Sequence, residues 1–185
     1  MFAASLVILR NVRDGSRPAP IAAIHIQTHV MPRKRPLYEI RRSAIQGRGV
    51  FAARRIRPGQ RIIEYAGERI TPEEGDRRYE DEKMKRHHTF LFSLDKNTVI
   101  DGNRQGNDAR YINHSCDPNC EAVTVGKKIF IYAKKNIQPG VELAYDYKYE
   151  WSNDKRDIEL YKCECGSAKC RGTIMKPKPR KRRKR

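Results

Sequence analysis

Asn113-His114-Ser115-Cys116-Asp117-Pro118-Asn119-Cys120 packs seven side chains capable of polar contact or ligation into eight residues. Pro118 and the Asn/Asp content make it a loop, one that leaves a short helix expected over 107–111. A histidine in such a loop serves as a base, a metal ligand or a hydrogen-bonded structural residue. The stretch is therefore a candidate site, and its chemistry has to come from the segments around it.

On both sides the chain is cut into short β-rich runs: Tyr38–Arg42, Val50–Ala53, Arg61–Tyr65, Phe90–Leu94, Thr98–Asp101, Ala122–Val125, Lys128–Ala133 and Val141–Tyr145. Each holds four to six residues between Gly, Pro, Asn or Asp, which is how strands are punctuated. Gly126 reads as a hairpin turn. One helix is signalled at Thr71-Pro72-Glu73-Glu74, with a capping hydroxyl, proline at the first helical position and Glu three residues past the cap. It is expected to run to about Arg86, although Gly75 weakens its first turn. Two stretches echo each other, Phe51 to Gly59 and Ile131 to Gly140, and each ends in Pro-Gly before a strand that closes on Tyr65 or Tyr145. Pro-Gly supplies the fixed and the positive φ of a type II turn. The echo reads as two similar strand–turn–strand units. The fold class is mostly β with few short helices.

The five cysteines are Cys116, Cys120, Cys163, Cys165 and Cys170. An odd number, clustered late and without a secretion signal, favours a reducing compartment and metal ligation over disulfides. Cys163-Glu164-Cys165-Gly166-Ser167-Ala168-Lys169-Cys170 places three thiolates close enough for one tetrahedral Zn²⁺, with Cys116 or Cys120 as the fourth ligand. Gln46-Gly47-Arg48-Gly49-Val50 is a Gly-x-Gly turn without the third glycine or the helix of a dinucleotide fingerprint. Tyr145-Asp146-Tyr147, followed by Tyr149 and Trp151, is an aromatic cluster that on its own means core packing.

Charge says more about partners than about fold. The net charge is +18 from 40 Lys and Arg against 22 Asp and Glu, over 185 residues. Residues 176–185 carry +8 and residues 1–36 carry +5, which leaves only +5 for the middle. The apolar-rich stretch Phe2–Leu9, eight residues with Ser5 among them, is far short of the ~20 that span a bilayer, so no membrane contact is expected.

Taken in order, Gly47-Arg48-Gly49-Val50-Phe51-Ala52, Glu64-Tyr65-Ala66-Gly67-Glu68, Ala109 to Cys120, Gly140-Val141-Glu142-Leu143-Ala144-Tyr145-Asp146-Tyr147 and the late cysteine triplet resemble a SET-domain protein lysine methyltransferase with a post-SET zinc-binding motif. The resemblance runs from Leu37 to Met175. It implies a SET domain over 37–150, a β-clip-like fold of small sheets around a pseudoknot in which the Asn-His loop and the Tyr-Asp-Tyr segment pass each other. A zinc-bound post-SET segment follows over 151–175. Residues 1–36 then read as a disordered or linker-like arm and 176–185 as a basic disordered tail.

The resemblance also implies S-adenosylmethionine as methyl donor and a lysine ε-amine of a histone or other basic protein as acceptor. Gly47, Arg48 and Gly49 would hold the amino-acid part of the donor, Asn113 and His114 its methionine and adenine parts, and Tyr65 would be a pocket aromatic. Tyr147 would be the catalytic tyrosine, with Tyr145 beside it. Phe90 and Phe92 would line the substrate channel, Phe90 standing where many relatives carry tyrosine. The zinc ligands would be Cys116, Cys163, Cys165 and Cys170, leaving Cys120 as a packed free thiol. Lysine titrates near ~10.4, so the site must above all present a neutral amine in line with the methyl, and His114 would bind rather than act as a base.

Tyrosine at position 145 is associated with adding fewer methyl groups, so mono- or dimethylation is expected. The competing class is a nucleic-acid or chromatin-binding zinc protein that uses the run from Lys176 to Arg185 to neutralise phosphates. It leaves the Asn-His-Ser-Cys and Tyr-Asp-Tyr segments unexplained. The tail is expected to contact nucleic acid or a nucleosome, or to serve as a nuclear address. A monomer is expected, intracellular and not secreted: nuclear or on chromatin in a eukaryote, cytoplasmic otherwise.

Overall fold

A computed structural model describes residues 36–79 and 89–179. The arm before Pro36, residues 80–88 and the tail beyond Pro179 lie outside those residues. The helix expected to run to about Arg86 ends already at Arg78, where Tyr79 leaves helical geometry at φ −127° and ψ 69°. Ten short strands dominate: β1 Tyr38–Arg42, β2 Arg48–Ala52, β3 Arg61–Tyr65, β4 Glu68–Ile70, β5 Leu91–Asp95, β6 Thr98–Asp101, β7 Asn113–His114, β8 Cys120–Val125, β9 Lys128–Ala133 and β10 Ala144–Tyr145. Helix α1 spans Pro72–Arg78, a 3-10 turn spans Asp108–Tyr111 and helix α2 spans Lys155–Leu160. The strands form four small sheets, ordered β1-β2, β7-β10, β3-β9-β8 and β4-β6-β5. The mostly β architecture is the one the sequence predicts. No helix among the described residues is long and apolar enough to cross a membrane.

The core follows from alternation. Along β9, Ile129, Ile131 and Ala133 are buried while Phe130 and Tyr132 are half-buried, the period-2 pattern of a strand with one face inward. They pack with Val50, Ala52, Ile56, Ile112, Ile137 and Leu143. Each buried Ile or Leu contributes roughly 1.5–3 kcal/mol.

The two echoed stretches meet. Ile56 and Ile137 exchange backbone hydrogen bonds of 3.0 and 2.9 Å. Gly59 N–H donates to Ala133 O at 2.8 Å, and Gly140 N–H donates to Ala52 O at 2.7 Å. Both Pro-Gly turns close as predicted, with Gln60 N–H donating to Arg57 O and Val141 N–H to Gln138 O, and Gly59 and Gly140 at φ +74° and +82°. The two units thus pair in a local two-fold arrangement, where sequence reading saw only a likeness.

Some boundaries differ from expectation. Val141–Tyr145 is a strand only at Ala144–Tyr145. Val141 and Leu143 bond to β2, and the Asn119 side chain then takes over the ladder, accepting from Ala144 N–H at 2.9 Å and donating to Glu142 O at 2.7 Å. The expected helix over 107–111 is a 3-10 turn with Asn107 as its cap. Strand β4 and helix α2 had no expectation attached. On α1 the Thr71 hydroxyl accepts from Glu74 N–H at 3.2 Å, as its cap pattern predicts. Arg78 ties α1 to the sheet through Glu68 at 2.7 Å and the buried Asp101 at 2.9 Å.

Candidate active site and metal centre

The quoted loop begins as β7, which lies parallel to β10 with Asn113 opposite Ala144 and His114 opposite Tyr145. The Asn-His and Tyr-Asp-Tyr segments therefore run side by side at the centre of the molecule. Asn113 clamps the Gly-x-Gly turn: its amide donates to Arg48 O at 3.1 Å and to Glu142 Oε1 at 2.8 Å. Ser43 Oγ donates to the same carboxylate oxygen at 2.7 Å. A Cβ on Gly49 would lie 2.3 Å from that oxygen, so any side chain there would push the Glu142 carboxylate off its bonds to Asn113 and Ser43. Gly47 closes the β1–β2 hairpin at φ +49°, a left-handed conformation that glycine adopts without strain.

His114 is 4% exposed. Burial lowers its pKa to about 4; Arg171 adds to the effect and Asp146 opposes it. The ring is therefore neutral at pH 7. Its Nδ1 accepts from Tyr147 N–H at 3.1 Å, and its Nε2 lies 3.3 Å from Cys116 Sγ. Although Asp146 Oδ1 is 3.6 Å from Nδ1, that carboxylate is held bidentately by Arg171 at 2.8 and 3.0 Å. Tyr147 Oη donates to Ile112 O at 3.0 Å, and burial pushes the Tyr147, Tyr145 and Tyr65 hydroxyls well above the usual tyrosine range.

Two cavities open beside these residues. An inner one of about 390 Å³ is lined by Gly47, Arg48, Phe90, Asn113, His114 and Tyr147, with Leu160, Lys162, Glu164 and Ile174 from the C-terminal segment. A wider groove of about 760 Å³ is lined by Tyr65, Phe92, Tyr145, Tyr147, Tyr149 and Trp151. The two share Thr89, Arg110 and Tyr147. Ring contacts run along the groove, from Tyr65 to Phe92 at 5.1 Å, Phe92 to Tyr145 at 5.8 Å and Tyr145 to Tyr147 at 5.0 Å. The structure thus gathers Gly47, Arg48, Phe90, Asn113, His114 and Tyr147 on one cavity and Tyr65, Phe92 and Tyr145 on the other. Gly49 faces Glu142 instead of the cavity. Cavities of these sizes are in the range of small-molecule sites, ~300–1,000 Å³.

The ligating atoms of Cys116, Cys163, Cys165 and Cys170 all lie within 4.8 Å of one another. Cys116 Sγ and Cys163 Sγ are 3.7 Å apart, close to the ~3.8 Å edge of a tetrahedron with ~2.3 Å Zn–S bonds. Burial works to raise the Cys165 thiol, but backbone N–H groups at Cys116 and Ser167 pull it down to about 7, while burial raises Cys163. Four crowded sulfurs, one already poised to ionise, fit a zinc ion. Cys120 is 1% exposed, outside the cluster, and burial pushes its thiol up to about 12.

Sequence reading missed Glu142, Arg110 and Tyr111, as well as the four cavity residues of the C-terminal segment. Glu142 stood inside a quoted motif, so its position was visible and its partner Asn113 was not.

The SET domain family matches residues 47–148. The chain is 43% identical over 151 residues to a protein of Emericella nidulans named histone-lysine N-methyltransferase, H3 lysine-4 specific, a match covering 77% of this chain and 12% of that protein. It is 43% identical over 149 residues to the protein of the same name from Saccharomyces cerevisiae, covering 77% of this chain and 13% of that one. Against histone-lysine N-methyltransferase trr of Drosophila melanogaster it is 43% identical over 134 residues, 70% of this chain and 5% of the relative. The chain therefore spans a small fraction of the length of these curated relatives.

Proposed function

Because the chain belongs to the SET-domain family, we propose that it is a protein-lysine N-methyltransferase that uses S-adenosylmethionine and acts on a histone. The observation that carries this reading is the joint of the two cavities at Thr89, Arg110 and Tyr147. A donor in the inner cavity and a lysine entering along the outer groove meet there. Bound S-adenosylmethionine supplies a methyl group that is already electrophilic, so the protein's task is alignment and presentation of a neutral amine.

The chain's own residues divide that task. The Gly47–Gly49 turn, clamped by Asn113, offers backbone groups to the amino-acid end of the donor. Arg48 and neutral His114 line the same cavity, and His114 binds without exchanging a proton. Tyr147, its hydroxyl proton committed to Ile112 O, keeps its oxygen lone pairs for weak C–H···O contacts to the methyl. Tyr65, Phe92 and Tyr145 wall the lysine groove and exclude water, while Phe90, expected in the channel, lines the donor cavity beside the joint. The Tyr145 hydroxyl makes no hydrogen bond among the described residues, so it is free to meet the acceptor amine or a water, which supports mono- or dimethylation. Zinc on Cys116, Cys163, Cys165 and Cys170 would hold the segment that brings Leu160, Lys162, Glu164 and Ile174 to the inner cavity.

The names of the relatives make lysine 4 of histone H3 the first substrate to test. The +8 run over residues 176–185 supports contact with nucleosomal DNA and a nuclear location. Incubation with radiolabelled S-adenosylmethionine and core histones should label histone H3. No label in any histone, or in any protein of a nuclear lysate, rejects the function.

A further inference from the structure

Arg110 sits at the joint of the two cavities, and no charge partner among the described residues explains it. It leaves the 3-10 turn two residues before Ile112, and its Nη1 donates to Gly102 O at 3.1 Å while Nη2 donates to Tyr111 Oη at 2.7 Å. Its guanidinium lies over the Tyr111 ring at 4.8 Å and the Phe90 ring at 5.9 Å. Its Nε is buried and without a hydrogen-bond partner among the described residues. No carboxylate pairs with it among those residues either. Arg110 is thus a fixed positive charge with no carboxylate partner among the described residues, and it is the one charged side chain of the three residues that line both cavities.

We infer that Arg110 is a positioning residue whose charge keeps the acceptor lysine amine unprotonated at the joint. The inference rests on the methyltransferase reading above. A lysine ammonium arriving there would stand near a second cation in a site walled by aromatic rings. Both desolvation and like charge disfavour the ammonium form, so the proton is left to water on the groove side.

The other groups facing the joint do not cancel this effect. Tyr65, Tyr145 and Tyr147 keep their protons because burial raises them. Asp146 is paired bidentately with Arg171, so the two offset each other. In the inner cavity Arg48 lies over Tyr111 at 4.5 Å, adding to the same sign, Lys162 and Glu164 are of opposite sign, and Cys163, as a thiolate of the cysteine cluster, is the group that opposes Arg110 and Arg48. Around the outer groove Glu121, Glu150 and Asp157 stand against Lys134, Lys148 and Lys176, three of each sign. Most of these six are exposed, where salt screens them.

The test uses the full chain and a histone H3 amino-terminal peptide carrying ¹³C-labelled N-methyl-lysine at position 4. The methyl resonance of the bound peptide is titrated without donor, for wild type, Arg110→Met, Arg110→Gln and Arg110→Lys, each checked for folding by circular dichroism. The pH dependence of single-turnover methyl transfer is measured in parallel at saturating donor. In the Met and Gln variants both midpoints should rise by about half to one pH unit, about three- to tenfold less neutral amine at a given pH below the midpoint. Arg110→Lys, which keeps the charge but not the two-pronged hydrogen bonding, should stay close to wild type.

Unmoved midpoints with a uniformly lower rate would make Arg110 merely structural and overturn the inference. So would an equal rise in the Lys variant, or weaker donor binding by calorimetry with an unmoved profile. Failure of the wild type to transfer methyl to any histone would instead sink the methyltransferase reading, and the donor-free titration would still decide the role of Arg110.

Discussion

The strand frame over 37–147 and the C-terminal segment over 155–176 are held together by different forces. In the frame, two echoed units lock onto each other through reciprocal backbone bonds at Ile56 and Ile137, over a continuous aliphatic core. In the segment, one six-residue helix buries Leu160, Ile174 and Met175 are buried further along, and the rest hangs on four cysteines, single bridges at Lys162–Thr173 and Tyr149–Met175, and the Arg171–Asp146 ion pair. The frame carries its own folding energy. The segment would draw on a metal at its cysteines as well as on contacts to the frame, and it supplies one wall of the inner cavity. Chemistry at the joint therefore depends on the weaker region.

Removing zinc should give the largest contrast between the two. Structural zinc sites in small peptides are worth about 10–16 kcal/mol, so chelation, or Cys170→Ser, should abolish both bound zinc and methyl transfer. Far-UV circular dichroism and amide exchange of the β3-β9-β8 sheet should change little. Full zinc occupancy in Cys170→Ser would exclude that ligand; simultaneous melting of the sheet would erase the distinction between the regions.

Truncation inside the frame should act the other way. Ile131→Ala empties a fully buried position and should cost about 2–5 kcal/mol of global stability by denaturant titration. Zinc content per folded molecule should be unchanged. A loss under 1 kcal/mol would mean that the aliphatic core is not what holds the frame.

A smaller effect is expected where the regions touch. Asp146→Asn removes the bidentate partner of Arg171, whose Nη2 also donates to Met175 O at 3.0 Å. Charged hydrogen bonds of this kind are worth about 1.5–3 kcal/mol, discounted toward the lower end because both side chains are partly exposed. The segment should open more readily, seen as faster amide exchange at Cys163 and Ile174, with frame exchange unaltered. Equal acceleration in both regions would contradict the division.

The smallest change in stability is expected at Tyr145→Phe, under about 1 kcal/mol, because the lost hydroxyl has no hydrogen bond among the described residues to give up. Its signature is chemical: mass spectrometry of the product should show more di- and trimethylated lysine. An unchanged product distribution would remove the role given to that hydroxyl.

Local signals carried the sequence reading, and it stops where pairing is non-local. Pro58-Gly59, Pro139-Gly140, the Thr71 cap and the Cys163/Cys165/Cys170 spacing each announce a conformation within a few residues, and each is found as read. Strand β4 is three residues long, too short for alternation to register, and α2 buries only Leu160, so no periodicity marks it. The selection of Cys116 over Cys120 came from the resemblance, since spacing alone left both open. Glu142 reaching Asn113 across 29 positions, and Arg110 at the joint of two cavities, are products of the fold with no local trace.

The most direct test of the central claim compares wild type with Tyr147→Phe for labelled methyl transfer to histone H3, with donor affinity measured on the same preparations. The proposed geometry predicts strong labelling by the wild type, a loss in the variant of roughly two- to fivefold for each C–H···O contact given up, and donor binding within about threefold of wild type. Equal transfer by the two proteins would contradict the placement of the reaction at Tyr147.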